Sequence, residues 1–283
     1  MSTKNFIPTL WHDAILTAYE KATVFGQLAN RQFEREIKGY GDRVKINSIG
    51  DFTAGAYTPG SVTYQQIQDA SIFLDVDNRD IVPVQINNID EAQANPKVYS
   101  AAVAKMAYAM RDRIDQAVSA KYTEGTIFDG SSTGSPTSLT SATINSFMGE
   151  AGVALDDRNV PGENRVAVLP NWMAEKIRLG KIVKDTNNSA YLNMPSYAGE
   201  FAGFNVFKSN NITKSGTTWY APMFFQAGET IALAEQLENL EVLKDKDYPM
   251  IDFVSLISVY GIKTVRPESL LYAYVANGAE TTV

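Results

Sequence analysis

The amino-acid sequence predicts a mixed α+β protein. A single long helix is predicted at 95–122, a glycine-rich pair of strands precedes it, and a mixed region closed by β-branched strands follows it. The chain has 283 residues, enough for one large domain or two ordinary ones with a buried core. We take the long helix as the element around which the rest of the chain is arranged.

The long helix has a start signal and one apolar face. Asn95 can cap its N-terminus, and Pro96 suits its first turn. Apolar residues recur at steps of three and four, which aligns their side chains along one face: Val103, Met106, Met110, Ile114 and Ala117. The remaining polar residues predict a solvent-exposed face, on which Arg111 and Asp115 are spaced for an ion pair. This face consists of Lys105, Arg111, Asp112, Arg113, Asp115 and Gln116. Such a helix is about 40 Å long and can support other elements.

The chain before the long helix is predicted to contain a helix, an arm and extended strands. An apolar stripe over Leu10–Phe25 predicts an amphipathic helix that Gly26 ends. A basic-leaning arm follows, and the glycine-rich residues 50–60 predict the tip of a hairpin. Strands are predicted at 44–46, 72–77 and 82–86. Because an isolated hairpin is marginally stable in water, we expect this one to pack against a neighbouring chain.

The chain after the long helix is predicted to be mixed. A run of turn-forming residues at Phe128–Ser141 marks a segment boundary. Helices are predicted at 144–155 and at 172–179, where Gly180 ends the second one. Strands are predicted at 166–170, 199–210, 217–221, 230–235 and 240–245. The β-branched residues 251–266 and the segment LLYAYVA at 270–276 are expected to form a closing hairpin.

Composition excludes several classes of function. The formal net charge of −7 gives no global positive field to hold nucleic acid, so sequence-specific reading of DNA or RNA is not expected. The chain has no cysteine, which excludes disulfides, thiolate nucleophiles and cysteine metal sites. No apolar run is long enough to span a membrane, and the N-terminus lacks the basic-then-apolar order of a signal peptide. We therefore expect a soluble protein made in the cytosol, without a membrane partner.

One serine motif suggests an enzyme. Residues 130–134, Gly-Ser-Ser-Thr-Gly, match G-x-S-x-G, the turn that presents a serine nucleophile, so a serine hydrolase using Ser132 is an alternative function. That turn needs a buried strand before it and a histidine base, whereas the flank here is polar. His12, the single histidine, lies far away on a predicted helix, where a packed or surface role is common. We therefore predict a surface loop and no catalytic residue.

Three aspartates suggest a calcium loop. Asp75, Asp77 and Asp80 have the opening spacing, but Arg79, Asp80 and Ile86 occupy positions that need an oxygen ligand, a glycine and a glutamate. An exposed strand face is the preferred interpretation, and no metal site is predicted.

Other charged residues are likewise interpreted as structural. Gly180-Lys181 lacks the rest of a phosphate-binding loop, so Lys181 is interpreted as a cation at a helix end. Glu235, Glu238 and Glu241 are interpreted as a solvated face. No cofactor is predicted.

Four stretches, in this order, resemble the major capsid proteins of tailed phages. They are YGDRVKINSIG at 40–50, NRVAVLPNWMAEKIRL at 164–179, GEFAGFNVFKSNNI at 199–212 and YGIKTVRPESL at 260–270. The resemblance covers nearly the whole chain and implies the Hong Kong 97-type capsid fold. It implies an N-terminal arm at Met1–Ile49, an extended loop at Gly50–Val82, a peripheral domain at Pro83–Phe128 plus Ile251–Val283, and an axial domain at Asp129–Met250. The long helix would be the spine of the peripheral domain.

The resemblance implies a structural function. The chain would assemble with itself into hexamers and pentamers of an icosahedral shell around double-stranded DNA, which it would contact nonspecifically. A separate scaffolding protein, a portal and a decoration protein are the further partners expected, with assembly in the host cytoplasm and a final location in the virion. Some relatives join subunits through a loop lysine, but no lysine occurs between Lys45 and Lys97. A nanocompartment shell of the encapsulin type has the same fold and is the alternative.

Overall fold

A computed structural model describes residues 24–36, 40–49, 54, 69–87, 97–179, 196–216, 218–244 and 251–279. Its helices are α1 Phe25–Leu28, α2 Lys97–Ser119, α3 Ile144–Asp156 and α4 Asn171–Leu179, with 3-10 turns at Gln32–Glu36, Ala120–Glu124 and Pro267–Ser269. Its strands are β1 Arg43–Ile49, β2 Asp69–Asp75, β3 Asn78–Asn87, β4 Thr126–Ile127, β5 Thr137–Leu139, β6 Arg165–Leu169, β7 Tyr197–Phe201, β8 Phe204–Lys208, β9 Lys214–Ser215, β10 Trp219–Tyr220, β11 Met223–Gln226, β12 Ile231–Lys244, β13 Ile251–Thr264, β14 Leu271–Tyr272 and β15 Val275–Asn277.

The predicted long helix is confirmed as α2, whose 23 residues extend over about 34 Å. Its apolar stripe is buried as the spacing predicts, with Val103, Met106, Met110 and Ile114 all in the core. The predicted polar face is wrong at one position, because Asp115 is buried with only 3% of its surface exposed. The proposed helix start at Asn95 and Pro96 lies outside the described residues.

A six-stranded sheet lies between α2 and the pair α3 and α4. Its strand order is β4-β14-β11-β6-β8-β7. Val166 and Val168 of β6 face α2 in the first hydrophobic core, while Ala167 and Leu169 face α3 and α4 in the second. A strand buried on both faces is a continuous apolar run, which explains the sequence VAVL.

A three-stranded antiparallel sheet in the order β12-β13-β3 also contributes to the first core and contacts α2. Separate strands were expected at 230–235 and 240–245, but β12 is one 14-residue strand that continues through a register shift between Leu237 and Asn239. The bulge lets the strand bend without ending. β13 contributes Val254 and Leu256 to the first core.

The expected strand at 199–210 is two strands. Ala202 and Gly203 both adopt positive φ and form the two-residue turn of a hairpin between Phe201 and Phe204. Because the residues on both sides of this turn are apolar, the hydrophobic pattern of the sequence does not reveal the turn.

The expected closing hairpin does not form. β13 pairs with β12 and β3, whereas the last two strands enter other sheets, β14 beside β4 and β11, and β15 beside β5 and β10. The cause is the 3-10 turn at Pro267–Ser269, because proline cannot continue the ladder and the chain leaves the sheet.

The N-terminal segment is anchored to the rest of the chain. Gly26 was expected to end a helix but lies inside α1, while the predicted helix before Val24 falls outside the described residues. Phe25 and Leu28 are buried in the first core beside α2. Asn30 then bridges the free edge of β12, with its N–H donating to Ile231 O at 2.7 Å and its C=O accepting from Leu233 N. The described part of the arm therefore has many internal contacts.

Candidate functional site

The hairpin of β1 and β2 is the first surface to consider. Seven residue pairs, from Arg43 opposite Asp75 to Ile49 opposite Asp69, form an antiparallel ladder. Its inner face carries Val44 and Leu74, which pack on Ala232 and Val259 of the three-stranded sheet. We name this ladder the hairpin base. The expectation that the hairpin needs a neighbouring chain for its apolar face is therefore wrong for the hairpin base.

Glycine permits the close contact beneath the hairpin base. A Cβ added at Gly261 of β13 would lie 2.5 Å from the carbonyl oxygen of Asp75 and 3.2 Å from the Cα of Val76. Both are backbone atoms, so a side chain at residue 261 forces the two segments apart. Sequence reasoning missed Gly261, although an isolated glycine inside a β-branched strand is a signal of close backbone approach.

The outer face of the hairpin base is exposed and carries a charged aromatic cluster. The Arg43 guanidinium lies 5.0 Å from the ring centroid of Phe73, and its Nε donates to Asp75 Oδ1 at 2.5 Å. Phe73 is 41% exposed, and Tyr40, three residues before the hairpin base, is 58% exposed. An aromatic ring beside an arginine on an exposed strand is the composition typical of protein contact surfaces.

Three more large apolar side chains are exposed among the described residues. They are Ile81 on β3, Tyr108 on α2 and Val153 on α3. The guanidinium carbon of Arg111 lies 4.4 Å from the ring centroid of Tyr108. β3 is also an edge strand, and its Pro83 lacks an N–H. These three side chains lie on β3, α2 and α3, so exposed apolar side chains are distributed over several elements of the described part of the chain.

Polar side chains on α2 and on the 3-10 turn after it bond to neighbouring segments, and Asp115 and Glu124 are two of them. Asp115 accepts hydrogen bonds from the backbone N–H of Phe25 at 3.0 Å and from Asn211 Nδ2 at 3.2 Å. Burial raises the pKa of Asp115 to about 6. Sequence reasoning missed this residue because it placed Asp115 on the wet face. Ala107, two turns earlier, is fully buried and shows that the apolar stripe is wider than the spacing of large residues suggests.

Glu124 is the second polar connection. Its carboxylate accepts from Lys121 Nζ at 2.9 Å and from the backbone N–H of Thr264 at 3.3 Å, and so ties the end of α2 to β13. Burial acts to raise the pKa of Glu124, but the hydrogen bonds from Lys121 and Thr264 outweigh it and hold the pKa below its usual value.

Ser132 lies in a surface loop, as predicted. It is exposed and bonds only within the loop, where its backbone pairs with Ser135 and its Oγ accepts from Ser135 N at 3.1 Å. The neighbouring Ser131 is the buried one, and it donates to Asp129 and accepts from Tyr274 N at 2.7 Å. These contacts anchor the loop to the C-terminal strands. His12 lies outside the described residues.

The three aspartates of the suggested calcium loop do not converge. Asp75 pairs with Arg43, and Asp77 accepts from Asn78. Asp80 accepts from the Tyr260 hydroxyl at 2.7 Å and from Arg113 Nε at 3.4 Å, so it is a structural link rather than part of an exposed face. Within the described part of the chain, no three acidic or histidine side chains are close enough to share a metal ion.

The solvated face proposed for three glutamates is wrong at its first member. The Glu235 side chain is only 4% exposed and pairs with Arg31 Nη2 at 3.2 Å, which fastens the N-terminal segment to β12. The structure does not describe the side chains of Glu238 and Glu241, and it does not describe Lys181.

No helix among the described residues is long and apolar enough to cross a bilayer.

The described residues thus combine a long helix packed on a sheet that is buried on both faces with a hairpin base that is buried on one face and exposed on the other. Solved structures confirm the fold. A Mycobacterium phage Che8 structure matches with a TM-score of 0.71 and 24% identity over 88% of this chain and 90% of that chain. The capsid structure of Cyanophage P-SCSP1u matches with a TM-score of 0.66 and 18% identity over 91% of this chain and 89% of that one. The predicted Hong Kong 97-type fold class is therefore confirmed.

A third match is a virus-like particle from Pyrococcus furiosus, with a TM-score of 0.58 and 10% identity over 95% of this chain and 99% of that chain. A search of curated proteins gives no match. The family model described as phage capsid protein matches residues 87–273, and the chain belongs to this family. It is accordingly a bacteriophage capsid protein, a structural shell subunit that assembles with itself in the virion and not an enzyme.

Proposed function

We propose that the chain is the major capsid protein that forms the icosahedral shell around the double-stranded DNA of a tailed phage. The observation that carries this proposal is the two-sided hairpin base. Its inner face packs on the subunit's own sheet through Leu74 and Val44, while Phe73, Arg43 and Lys45 are exposed on its outer face. A subunit that fixes the hairpin at one end and presents its other face can bind neighbours on a closed surface.

We propose that the subunit has four parts, as the resemblance implies: the arm, the extended loop, the peripheral domain and the axial domain. Two elements refine the boundaries at 49/50 and 82/83. β1 pairs with β2, so the extended loop is best begun at Arg43. β3 runs unbroken through Val82 and Pro83 and pairs with β13 along its whole length, so it is best assigned to the peripheral domain.

The proposed partners follow from a shell of this kind. Copies of the chain form hexamers and pentamers, and a scaffolding protein, a portal and a decoration protein contribute to assembly in the host cytoplasm. The packaged DNA is contacted nonspecifically, which is consistent with the net charge of −7, since a strongly basic inner wall would bind the genome tightly. With no lysine between Lys45 and Lys97 and no cysteine, the shell is held by noncovalent contacts.

An encapsulin-type nanocompartment is the second candidate, and the match to the virus-like particle from Pyrococcus furiosus favours it. Both candidates form closed particles, so the presence of particles does not distinguish them. Their contents do, because a phage head encloses genomic DNA and a nanocompartment encloses cargo protein.

The deciding experiment is purification of native particles from lysed host cultures, followed by negative-stain microscopy and nuclease treatment. We expect closed icosahedral shells that protect long double-stranded DNA from the nuclease. Particles that contain protein cargo and no protected DNA would favour the nanocompartment, and a monodisperse monomer under all assembly conditions would overturn both candidates. On a denaturing gel, boiled particles should give this chain as one band at its single-chain mass of 31.1 kDa, without a ladder of multimers.

A further inference from the structure

The C-terminal strand β15 ends in an Asn-Gly pair. Asn277 is the last residue of β15 and is exposed, and Gly278 follows it. In the whole sequence, glycine directly follows asparagine only here. Glycine has no Cβ, so nothing shields its backbone nitrogen from the amide side chain of the residue before it. Spontaneous deamidation of asparagine, in which this nitrogen attacks the side chain, is therefore least hindered at Asn277.

Packing against β5 requires glycine at residue 278. A Cβ added there would lie 2.8 Å from the carbonyl oxygen of Leu139, 2.8 Å from Ser138 Oγ and 3.1 Å from the carbonyl carbon of Leu139. Two of these three atoms belong to the backbone of β5, so a side chain at residue 278 forces the two segments apart. The fold thus imposes the glycine that makes Asn277 reactive.

In the folded subunit, both backbone polar groups of Gly278 are hydrogen-bonded. β15 pairs in parallel with β5, with Asn277 opposite Leu139. The Gly278 N–H donates to Leu139 O at 2.9 Å. The buried Lys176 of α4 donates its Nζ to Leu139 O at 2.8 Å and to Gly278 O at 2.7 Å. Lys176 therefore joins the end of β15 to β5 from a third element.

Deamidation uses only the groups of Asn277, the nitrogen of Gly278 and water. The Gly278 nitrogen loses its proton and attacks Asn277 Cγ, so that a bond forms between these atoms. The bond from Cγ to Nδ2 then breaks, and Nδ2 takes up a proton and leaves as ammonia. Water opens the resulting succinimide ring to aspartate or isoaspartate. The docked strand opposes the first step, because the Gly278 N–H is donated to Leu139 O and the attack requires this peptide group to rotate out of the ladder.

We propose that Asn277 is a self-modification site that reacts when the end of β15 opens and is protected while it is docked. The isoaspartate product lengthens the backbone between residues 277 and 278 by an additional carbon. This change moves the Gly278 N–H and C=O out of register with Leu139 O and Lys176 Nζ, so the original bonds cannot all form again. An opening of the C-terminal strand is thereby converted into a permanent change in the chain.

The rate of the reaction follows from the opening equilibrium. Opening of a strand end is local and fast compared with deamidation, so the observed rate is the fraction of open chains multiplied by the rate in an open chain. Two hydrogen bonds of ordinary strength favour the docked end by about tenfold or more. The same opening frees the Gly278 N–H from Leu139 O. Hydrogen exchange at Gly278 and deamidation at Asn277 should therefore be slowed by the same factor.

Ageing of the purified 283-residue subunit in mildly alkaline buffer tests the proposal. Mass spectrometry of the C-terminal proteolytic peptide measures the formation of aspartate and isoaspartate at residue 277, and a synthetic peptide of residues 270–283 under the same conditions gives the rate in an open chain. We expect the subunit to deamidate more slowly than the peptide by about tenfold or more. Protection of the Gly278 amide from exchange should give the same factor. Equal rates in subunit and peptide, or two factors that disagree, overturn the proposal.

A matched pair of lysine variants tests the role of Lys176. Lys176→Met keeps an unbranched side chain but removes the donor to Leu139 O and Gly278 O, so deamidation should become faster than in the parent chain by about fivefold or more. Lys105→Met is the control, because Lys105 is exposed on α2, and it should deamidate at the parent rate. An unchanged rate in Lys176→Met, or equal acceleration in both variants, overturns this role. If Lys176→Met does not fold, the comparison of the parent subunit with the peptide still decides the proposal.

Discussion

The second core and the hairpin base are stabilised by different kinds of contact. The second core holds large aromatic rings in mutual contact, with Phe224 within 5.5 Å of Phe128 and Phe204 and 6.1 Å of Phe147, measured between ring centroids. The contact under the hairpin base consists of small aliphatic side chains such as Val44, together with the close backbone approach at Gly261.

The difference separates stability from assembly. Burying a large ring contributes more free energy of folding than burying a small side chain, so we expect single residues of the second core to contribute more to subunit stability than those of the hairpin base. The hairpin base buries less apolar surface on its own subunit and keeps Phe73 exposed for another. Substitutions in the two regions should therefore differ in how much subunit stability they remove.

The largest loss is expected for Phe224→Ala. Phe224 is fully buried among three other phenylalanine rings, so truncation should lower the free energy of unfolding by about 3–5 kcal/mol, through lost burial and the cavity left behind. Denaturant unfolding measures the change. Phe73→Ala is the matched control and should cost less than about 0.5 kcal/mol because Phe73 is partly exposed. Equal losses for the two would mean that the second core does not dominate folding.

The next loss is expected for Gly261→Ala. The new Cβ would meet backbone atoms of Asp75 and Val76, so the hairpin base must move, at a cost of about 1–3 kcal/mol. Amide exchange at Val76, whose N–H donates to Asp42 O at 3.0 Å, should become faster. Gly152→Ala is the control, because its Cβ would lie 3.8 Å from Phe204 in ordinary contact and alanine favours the helix. Unchanged exchange at Val76 would contradict the docking inferred for the hairpin base.

A smaller loss, which depends on pH, is expected for Glu124→Gln. The lowered pKa of Glu124 means that its ionised form stabilises the folded chain above the usual carboxyl pKa and that this contribution disappears as the pH falls through the lowered pKa. Removing it should cost about 1 kcal/mol at neutral pH and little in acid. Thermal unfolding across this pH range provides the measurement.

Glu175→Gln is the control for Glu124→Gln. Its carboxylate is half exposed and pairs only with Arg178 in the same helix, so its effect should stay within about 0.5 kcal/mol at every pH. A pH-independent loss in Glu124→Gln would show that packing, and not charge, joins α2 to β13.

The smallest loss is expected for deletion of residues 52–68. The deletion leaves Gly50 and Asp51 between Ile49 and Asp69, which already pair, and glycine at the first position suits a two-residue turn. The free energy of unfolding should change by less than about 0.5 kcal/mol, whereas electron microscopy should find no closed shells. Loss of cooperative unfolding would instead place the deleted residues in a core.

The local hydrophobic pattern predicted most helices and strands, but it predicted few of the elements against which they pack or pair. The stripe of α2 was predictable because burial of one face leaves a helical period in the sequence, and the run VAVL was predictable because burial of both faces leaves a continuous apolar run. Which sheet a strand joins depends on distant residues, so the segment LLYAYVA was assigned to the wrong neighbour. Asp115 and Glu235 were placed in solvent because charge usually means exposure, and their partners Phe25 and Arg31 are distant in sequence.

The C-terminal strands β14 and β15 pair with strands that are synthesised much earlier. β14 lies between β4 and β11, and β15 pairs with β5, so segments that directly follow α2 wait for residues 271–277 to complete their sheets. Lys176 fixes this arrangement by donating to Leu139 O at 2.8 Å and to Gly278 O at 2.7 Å. A chain whose translation stops before Leu271 therefore keeps open strand edges, which are prone to aggregation, and it lacks the surface of a finished subunit. We therefore expect that only a chain translated through residues 271–277 can enter a shell.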